Sequence, residues 1–195
     1  MWKSFNFEEL FDIRSGVYGV TPEHITCEDS TGKKIPYVSA TSLDNGVSEW
    51  FTIDELDASP KSGEVDTKKG RNQPLDVKLC EGNCITVSNN GSVGEAFYQE
   101  RQFTCSQDVT RLYPKNWTLN RAIALYICTV IKNERYRFSY GRKWKQARMK
   151  KSSIWLPVTE DGTPDWKKME DMYNKIYNNI TINGIALSVL EEVCA

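Results

Sequence analysis

Few residues in this sequence have the types and spacing that metal or nucleophilic chemistry requires. Cys80 and Cys84 form a Cys-x3-Cys pair, which can supply half of a structural zinc site. No second pair follows, and His24 is the only histidine, so the other two ligands are missing. A Ser-His or Cys-His nucleophile would depend on that same histidine. We therefore interpret the two thiols as buried structural residues and His24 as a surface or turn residue.

A nuclease pattern is present only in part. Asp66 and Lys68 resemble a fragment of a divalent-metal nuclease site, which needs strands to hold its carboxylates together. They lie in residues 54–76, a polar stretch with proline and glycine that we interpret as a long surface excursion. Phosphate-loop, dinucleotide-fingerprint and G-x-S-x-G motifs are absent from the sequence. We accordingly expect no metal and no cofactor in this chain.

The strongest chemical signal is a basic segment, residues 132–151, with nine Lys or Arg residues and one acidic residue. The remaining 175 residues hold 16 basic and 25 acidic side chains, so the positive field is concentrated in one place. Such an excess can neutralise several phosphates of a DNA duplex. The candidate phosphate contacts are Arg142, Lys143, Lys145, Arg148, Lys150 and Lys151. Arg135 and Arg137 are added if they face the same way.

This segment also has interpretations that involve no DNA. Its cations would simply solvate one face of a helix if Trp144 and Met149 pack inward. A helix lying on a membrane surface would need a larger apolar face than this segment offers. The first alternative stays open, and the second is disfavoured.

A glycine-containing loop, residues 88–94 with the sequence SNNGSVG, supplies a second group of candidates. Asparagine amides have the bidentate geometry that reads adenine, and arginine has the geometry that reads guanine. Glycines between strands usually form a tight turn, but they also allow backbone N–H groups to approach a phosphate. Asn89, Asn90 and Gly91 are therefore candidate DNA contacts, and Arg142 is a further candidate base reader.

The elements that must position these residues fit one domain, since 195 residues with 39% apolar content can bury a single core. No run approaches the roughly 20 apolar residues of a membrane span, and the start lacks the apolar region of a signal peptide. The six scattered cysteines are typical of free thiols in a reducing compartment. We expect a soluble, cytoplasmic protein.

The secondary structure is predicted to be mixed. Residues 6–16 form a brief helix or turn with Phe7, Leu10 and Phe11 on one face. A strand around residues 35–38 ends in the Asn45-Gly46 turn. Short strands between residues 84 and 113 form a meander. Asn120 then caps a core helix through residues 121–132, for which a buried strand is the competing interpretation.

A last helix is predicted from Thr163-Pro164, as N-cap and first helical position. Its apolar residues are spaced alternately by three and four, as in a helix–helix seam. The seam spans about two heptads, so packing on the parent domain and pairing with another helix both remain open. The seam residues, which we assign to a dimer or partner interface, are Trp166, Met169, Tyr173, Ile176 and Ile180.

Four sequence segments, in order, resemble one known family. They are FEELFDIRSG, IPYVSATSLDNGV, the stretch from GNCITVSNNGSVGEAF to NRAIALYICTVI, and SYGRKWKQARMKKSSIWLPV followed by TPDWKKMEDMY. Together they cover roughly residues 4 to 175 and resemble the target recognition domain of the DNA specificity subunit of type I restriction-modification systems. The ending, with LPV and then G-x-P-D-W, is also similar to type IIB and type IIG relatives.

The resemblance implies an α/β (α+β) fold, mostly antiparallel, with residues 1–160 as recognition domain and 161–195 as a helical spacer or dimerisation segment. It implies a non-catalytic, sequence-specific DNA-binding subunit that directs an adenine methyltransferase subunit, and in some systems a restriction subunit, to double-stranded DNA. Full-length members carry two such domains, whereas these motifs occur once here, which would fit a homodimer reading a split palindrome. A stand-alone nuclease or methyltransferase relative and a pure protein-interaction module are the alternatives.

Overall fold

A computed structural model describes residues 1–25, 33–61, 73–139 and 141–182, with side chains described up to residue 179. Within these ranges the chain forms nine short strands and five α-helices. Of the pairings between these strands, one is parallel and the others are antiparallel. The predicted fold class, mixed and mostly antiparallel, is confirmed. No helix in the described ranges is both long enough and apolar enough to cross a membrane.

The main sheet contains four antiparallel strands. Its order is β2 (Phe11–Ser15), β8 (Val109–Pro114), β5 (Cys84–Ser88) and β6 (Ala96–Gln99). All five residues of β5 are buried, because a core lies on each side of the strand. Its Ile85 and Val87 face the larger core, and its Cys84 faces the smaller one.

The smaller core lies on a three-stranded sheet with the order β4 (Val47–Thr52), β3 (Lys34–Val38) and β7 (Thr104–Cys105). The predicted strand and turn are confirmed, since a 3-10 turn over Asp44–Gly46 joins β3 to β4. Asn45 has φ 53 there, a left-handed conformation that asparagine tolerates better than most residues.

The predicted meander is wrong. β5 and β6 form a hairpin, but β7 leaves that sheet and pairs in parallel with β3, and β8 returns to the other side of β5. Alternating apolar residues identify strands without fixing which strands become neighbours. A two-residue strand such as β7 carries too few side chains to indicate its sheet.

The predicted opening helix is shorter than expected. Only α1 (Phe7–Leu10) is helical, between β1 (Trp2–Asn6) and β2, and β1 pairs antiparallel with β9 (Ser153–Pro157). Phe7, Leu10 and Phe11 are all buried, as predicted, although Phe11 begins a strand. A burial pattern of three residues fits one helical turn and a strand start equally well.

The predicted core helix is confirmed as α3 (Arg121–Asn133), and the competing strand interpretation is wrong. The side chain of Asn120 caps it by accepting a hydrogen bond from the Ile123 N–H at 2.9 Å. One face is buried in the larger core, and the opposite face is not, so burial is one-sided. A 3-10 turn over Glu134–Arg137 and the short helix α4 (Gln146–Lys150) follow.

The predicted surface excursion, residues 54–76, begins in regular structure instead, because residues 54–58 belong to the helix α2 (Ile53–Ala58). Thr52 and Glu55 make a reciprocal capping box, with the Thr52 N–H donating to the Glu55 carboxylate at 2.7 Å. The Thr-x-x-Glu spacing was a readable signal for this helix start. Asp66 and Lys68 lie outside the described residues.

The last helix, α5 (Trp166–Ile182), begins later than predicted. Asp165 caps it by accepting a hydrogen bond from the Lys168 N–H at 2.9 Å, and Thr163 instead bonds the Asp161 carboxylate. Asp161 to Thr163 form a turn in which Gly162 has φ 78, so the chain cannot continue as a helix there.

Candidate nucleic-acid interface

The basic segment is fixed to the domain by a buried tryptophan. The Trp144 ring stacks on Phe138 with centroids 4.1 Å apart and meets Phe7 edge-on at 5.4 Å. Its Nε1 donates to the Ser152 hydroxyl at 3.0 Å, and Met149 is fully buried in the same core. This inward packing is what the solvated-face alternative predicted. It also points the intervening cations outward, as phosphate contact requires.

Five cations of this segment face solvent. In the part of the chain that the structure describes, none of them has a carboxylate partner. They are Arg142, Lys145, Arg148, Lys150 and Lys151. Arg148 donates to the carbonyl oxygen of Lys143, whose own side chain is half-buried. Because short-range carboxylates are missing, the positive field of these side chains extends into solvent.

Three other cations of the basic segment are neutralised within the fold. Glu95, at the start of β6, binds Arg135 at 2.6 Å and Lys132 at 3.3 Å, and Glu134 binds Arg137 at 2.7 Å. Residues 132–151 contain one acid, but Glu95 comes from about 40 positions earlier in the chain. A count along the sequence therefore overstates the charge available to DNA. Arg135 and Arg137 are not free phosphate contacts.

The glycine loop places its two asparagines differently. Asn89 is buried, and its amide donates to the Gln107 carbonyl and the Thr110 hydroxyl, both at 3.2 Å. Its donors are thus used inside the fold, and we omit it from the proposed interface. Asn90 is half-buried, and its Oδ1 is a buried atom that has no hydrogen-bond partner among the described residues. Gly91 is exposed, with φ +58.

This loop touches two others. A Cβ built on Gly91 would lie 3.0 Å from the Ala40 carbonyl oxygen, and one on Gly94 would lie 2.7 Å from the Arg135 Cβ. We call these three stretches, residues 39–46, 89–94 and 134–137, the loop rim. Its most exposed large side chains are Leu43 at 68% and Tyr136 at 80%, neither of which sequence reasoning selected. Only their position beside the glycine loop, which the sequence does not show, draws attention to them.

The predicted seam on α5 is divided. Trp166 stacks on Trp117 with centroids 4.1 Å apart, and Met169 is fully buried, so these two residues belong to the domain's own core. Tyr173 is half-buried and stacks on Tyr177 at 6.0 Å, and Ile176 is 60% exposed. The side chain of Ile180 lies outside the described residues. Met169 is therefore unavailable to a partner, contrary to its assignment, and the half-buried Trp166 already has one face covered by Trp117.

The candidates for metal and nucleophilic chemistry take structural positions. Cys80 and Cys84 are buried, and burial raises the pKa of Cys84 to about 12. Within the described ranges no three metal-binding side chains come together. His24 is more than a plain surface residue, because its Nδ1 lies 3.1 Å from the Glu55 carboxylate and its ring stacks on Phe51 at 4.5 Å.

Comparisons with known proteins show the family and the fold of the chain. The chain is 32% identical over 179 residues to the specificity subunit S.BcgI of a type II restriction enzyme from Heyndrickxia coagulans, covering 92% of this chain and 44% of that protein. Its fold is similar to that of the HsdS subunit from Thermoanaerobacter tengcongensis, with a TM-score of 0.55 and 14% identity over 93% of this chain and 38% of that one.

A type I restriction-modification S subunit from M. genitalium is similar too, with a TM-score of 0.51 and 15% identity over 99% of this chain and 44% of that one. The chain thus spans less than half the length of these relatives. The family model described as "Type I restriction modification DNA specificity domain" matches residues 1–184. Since that match covers most of the sequence, the chain belongs to the family of type I restriction-modification DNA specificity domains.

Proposed function

We propose that this chain is a sequence-specific DNA-binding module that directs a partner adenine methyltransferase to its target in double-stranded DNA. The observation that carries the proposal is a row of five outward cations that flank the buried Trp144 and Met149 and have no carboxylate partner among the described residues. The five, which we call the basic row, are Arg142, Lys145, Arg148, Lys150 and Lys151. In this proposal the chain supplies recognition, and the partner supplies catalysis and S-adenosylmethionine. Because the target is cellular DNA, the module acts in the cytoplasm.

In this proposal, one surface contacts phosphates and another reads bases. The basic row contacts phosphates and fixes the register, which carries no sequence information. Base readout falls to the neighbouring loops, among them the glycine loop, where Asn90 is half-buried and Gly91 is exposed. Where a restriction subunit is part of the system, the same complex delivers the target site to it.

The test uses the chain purified with its methyltransferase. Lys145→Ala, Lys150→Ala and Lys151→Ala together should weaken binding to every duplex and lower the slope of log affinity against log salt by up to about 0.9 per lost contact. Lys33→Ala, Lys34→Ala and Lys115→Ala remove the same charge from exposed positions outside the basic segment and should leave both quantities unchanged. Equal effects of the two triple variants would disprove the assignment of this surface.

Sequencing of methylated bases in a host that expresses the pair should reveal one modified motif, which would also supply the cognate duplex for binding. Methylation or cleavage by the chain alone would favour the stand-alone enzyme alternative. No modified motif would contradict the proposal.

A specific observation also favours pairing through α5. Ile176 and Met172 are 60% and 37% exposed on a helix whose first turns are anchored in the domain. A second copy of this chain would cover them and bring two recognition domains together on a split, two-fold-symmetric site. Light scattering should then give twice the mass of one chain, or of one chain with its methyltransferase. Ile176→Glu should halve it, whereas an unchanged mass would exclude this contact.

A further inference from the structure

Tyr136 combines high exposure with a rigid attachment. It lies in the 3-10 turn Glu134–Arg137, and 80% of its surface is exposed. Within the described part of the chain, its ring stacks on no other ring and its hydroxyl makes no hydrogen bond. A single exposed aromatic residue is ordinary on a protein surface. What distinguishes this one is how firmly its neighbours are held.

Both flanking arginines are fixed by carboxylates. Arg135 binds Glu95 at 2.6 Å, and Arg137 binds Glu134 at 2.7 Å. The Phe138 N–H donates to the Arg135 carbonyl at 2.9 Å, and the Phe138 ring stacks on the buried Trp144. The backbone on either side of Tyr136 is therefore fixed, so binding has to order only the few side-chain torsions of Tyr136.

The surroundings of Tyr136 favour nucleic acid over an apolar protein partner. Gly94 of the glycine loop approaches the Arg135 backbone so closely that a Cβ there would lie 3.1 Å from the Arg135 Cα. On the C-terminal side, the Phe138 ring stacks on Trp144, which lies between Lys143 and Lys145 in the chain. Tyr136 and the basic row are therefore attached to the same buried pair of rings. Among the described residues of the basic segment, Tyr136 is the exposed large apolar side chain, which makes it the ring available to DNA when the basic row contacts phosphates.

We propose that Tyr136 is a specificity residue that inserts its ring at one base step of the recognised duplex. Aromatic and apolar side chains act as wedges of this kind by partly unstacking a step and kinking the DNA. Pyrimidine–purine steps cost the least energy to unstack, so a wedge creates a preference for them without hydrogen bonds to base edges. This inference rests on the proposed function. It adds to that function the residue that distinguishes DNA sequences by how easily a base step is unstacked.

The experiment compares Tyr136→Ala and Tyr136→Phe, each purified with the methyltransferase. The probes are the duplex that carries the methylated motif and a scrambled duplex of equal length and composition. Tyr136→Ala should bind the cognate duplex ~5- to 150-fold more weakly, the range of one base–aromatic stack, with unchanged binding to the scrambled duplex. Selection from a random duplex pool should lose the preference at one pyrimidine–purine step. Tyr136→Phe keeps the ring and should behave like the parent chain.

Several outcomes overturn the inference. Equal loss on both duplexes, or loss of complex formation with the methyltransferase, would make Tyr136 a general or protein contact. If Tyr136→Ala keeps full affinity and an unchanged motif while the lysine triple variant loses binding, the wedge is refuted. The proposed function is still supported in that case. If the parent complex binds neither duplex, both proposals fail together.

Discussion

The indole rings of Trp117 and Trp166 lie face to face, with centroids 4.1 Å apart and planes only 10° from parallel. Trp117 also donates from Nε1 to the Leu10 carbonyl at 2.8 Å. The stack therefore joins the start of α5 to the segment before α3 and, through Leu10, to α1. Beyond Met169 the same helix carries exposed apolar side chains. One helix thus has an anchored half and an exposed half.

Trp166→Ala should lower the free energy of unfolding by about 2–4 kcal/mol, since it removes a large, partly buried ring from the core. Ile176→Ala, on the same helix but 60% exposed, should change it by less than about 0.5 kcal/mol. Chemical denaturation of the two variants measures the difference. With Trp117→Ala, a double-mutant cycle should show a coupling of about 0.5–1.5 kcal/mol; no coupling would mean that the stack contributes nothing beyond burial.

Gly94→Ala should destabilise the fold by about 1–3 kcal/mol, because φ +86 is strained for alanine and the new Cβ would lie 2.7 Å from the Arg135 Cβ. Gly141→Ala is the matched control, since a Cβ there meets nothing within 4 Å and φ is not in the left-handed region. Thermal unfolding of both variants gives the comparison. Equal transition temperatures would show that the glycine loop does not press against the turn that carries Tyr136.

Asn89 and Asn90 are adjacent and should respond in opposite ways. Asn89→Ala leaves the part-buried Gln107 carbonyl and the buried Thr110 hydroxyl without their donor, which should cost about 1–3 kcal/mol of stability. Asn90→Ala removes a buried oxygen that has no partner in the described structure, so stability should hold or rise. Chemical denaturation of each variant tests the pair. Destabilisation by Asn90→Ala would assign that residue a structural role instead.

His24 should make stability depend on pH. Its hydrogen bond to Glu55 raises the pKa of His24 above 6.5, so its stabilising effect is complete below 6.5 and is lost as pH rises through the folded-state pKa. Burial acts to raise the pKa of Glu55, but hydrogen bonds from Thr52, His24 and Ile25 outweigh it and hold that pKa at about 2. The Glu55 contribution is therefore present above 4.5 and is lost as pH falls towards 2.

NMR can follow this histidine directly, because it is the only one in the chain. Its titration midpoint should lie above 6.5 and should fall towards 6.5 in Glu55→Gln. His24→Gln should flatten the rise in unfolding free energy as the pH drops into the range where His24 is protonated. A midpoint below 6.5 in the parent chain would contradict the contact.

Local signals in the sequence located elements well. Asn120 predicted the start of α3 because a capping side chain acts on a neighbour three residues away. Thr52 and Glu55 could have predicted α2 for the same reason. The alternation around Ile35 and Val38 likewise found β3. Such signals are readable because the residue that gives the signal lies within a few positions of the backbone whose structure it determines.

Features that depend on distant parts of the chain were not readable. Glu95 neutralises Lys132 and Arg135 from about 40 positions away, and no pattern within the basic segment reports that contact. Asn89 and Asn90 have the same side chain, yet only the fold decides which one is buried. Trp166 and Ile176 share a seam, but the position of Trp117 decides which of them is covered.

The pairing of β1 with β9 sets Trp2 opposite Pro157. The two ends of residues 2–157 thus lie side by side on a two-stranded ribbon, and α5 begins further along the chain, at Trp166. A segment whose ends meet in this way can be exchanged as a cassette, because neither cut moves the other or disturbs the four-stranded sheet. Under the proposed function, exchange of residues 2–157 for the matching part of a relative should transfer the DNA target of that relative. The replacement must keep a ring for Trp166 to stack on and a pocket for Met169, because α5 packs on this segment.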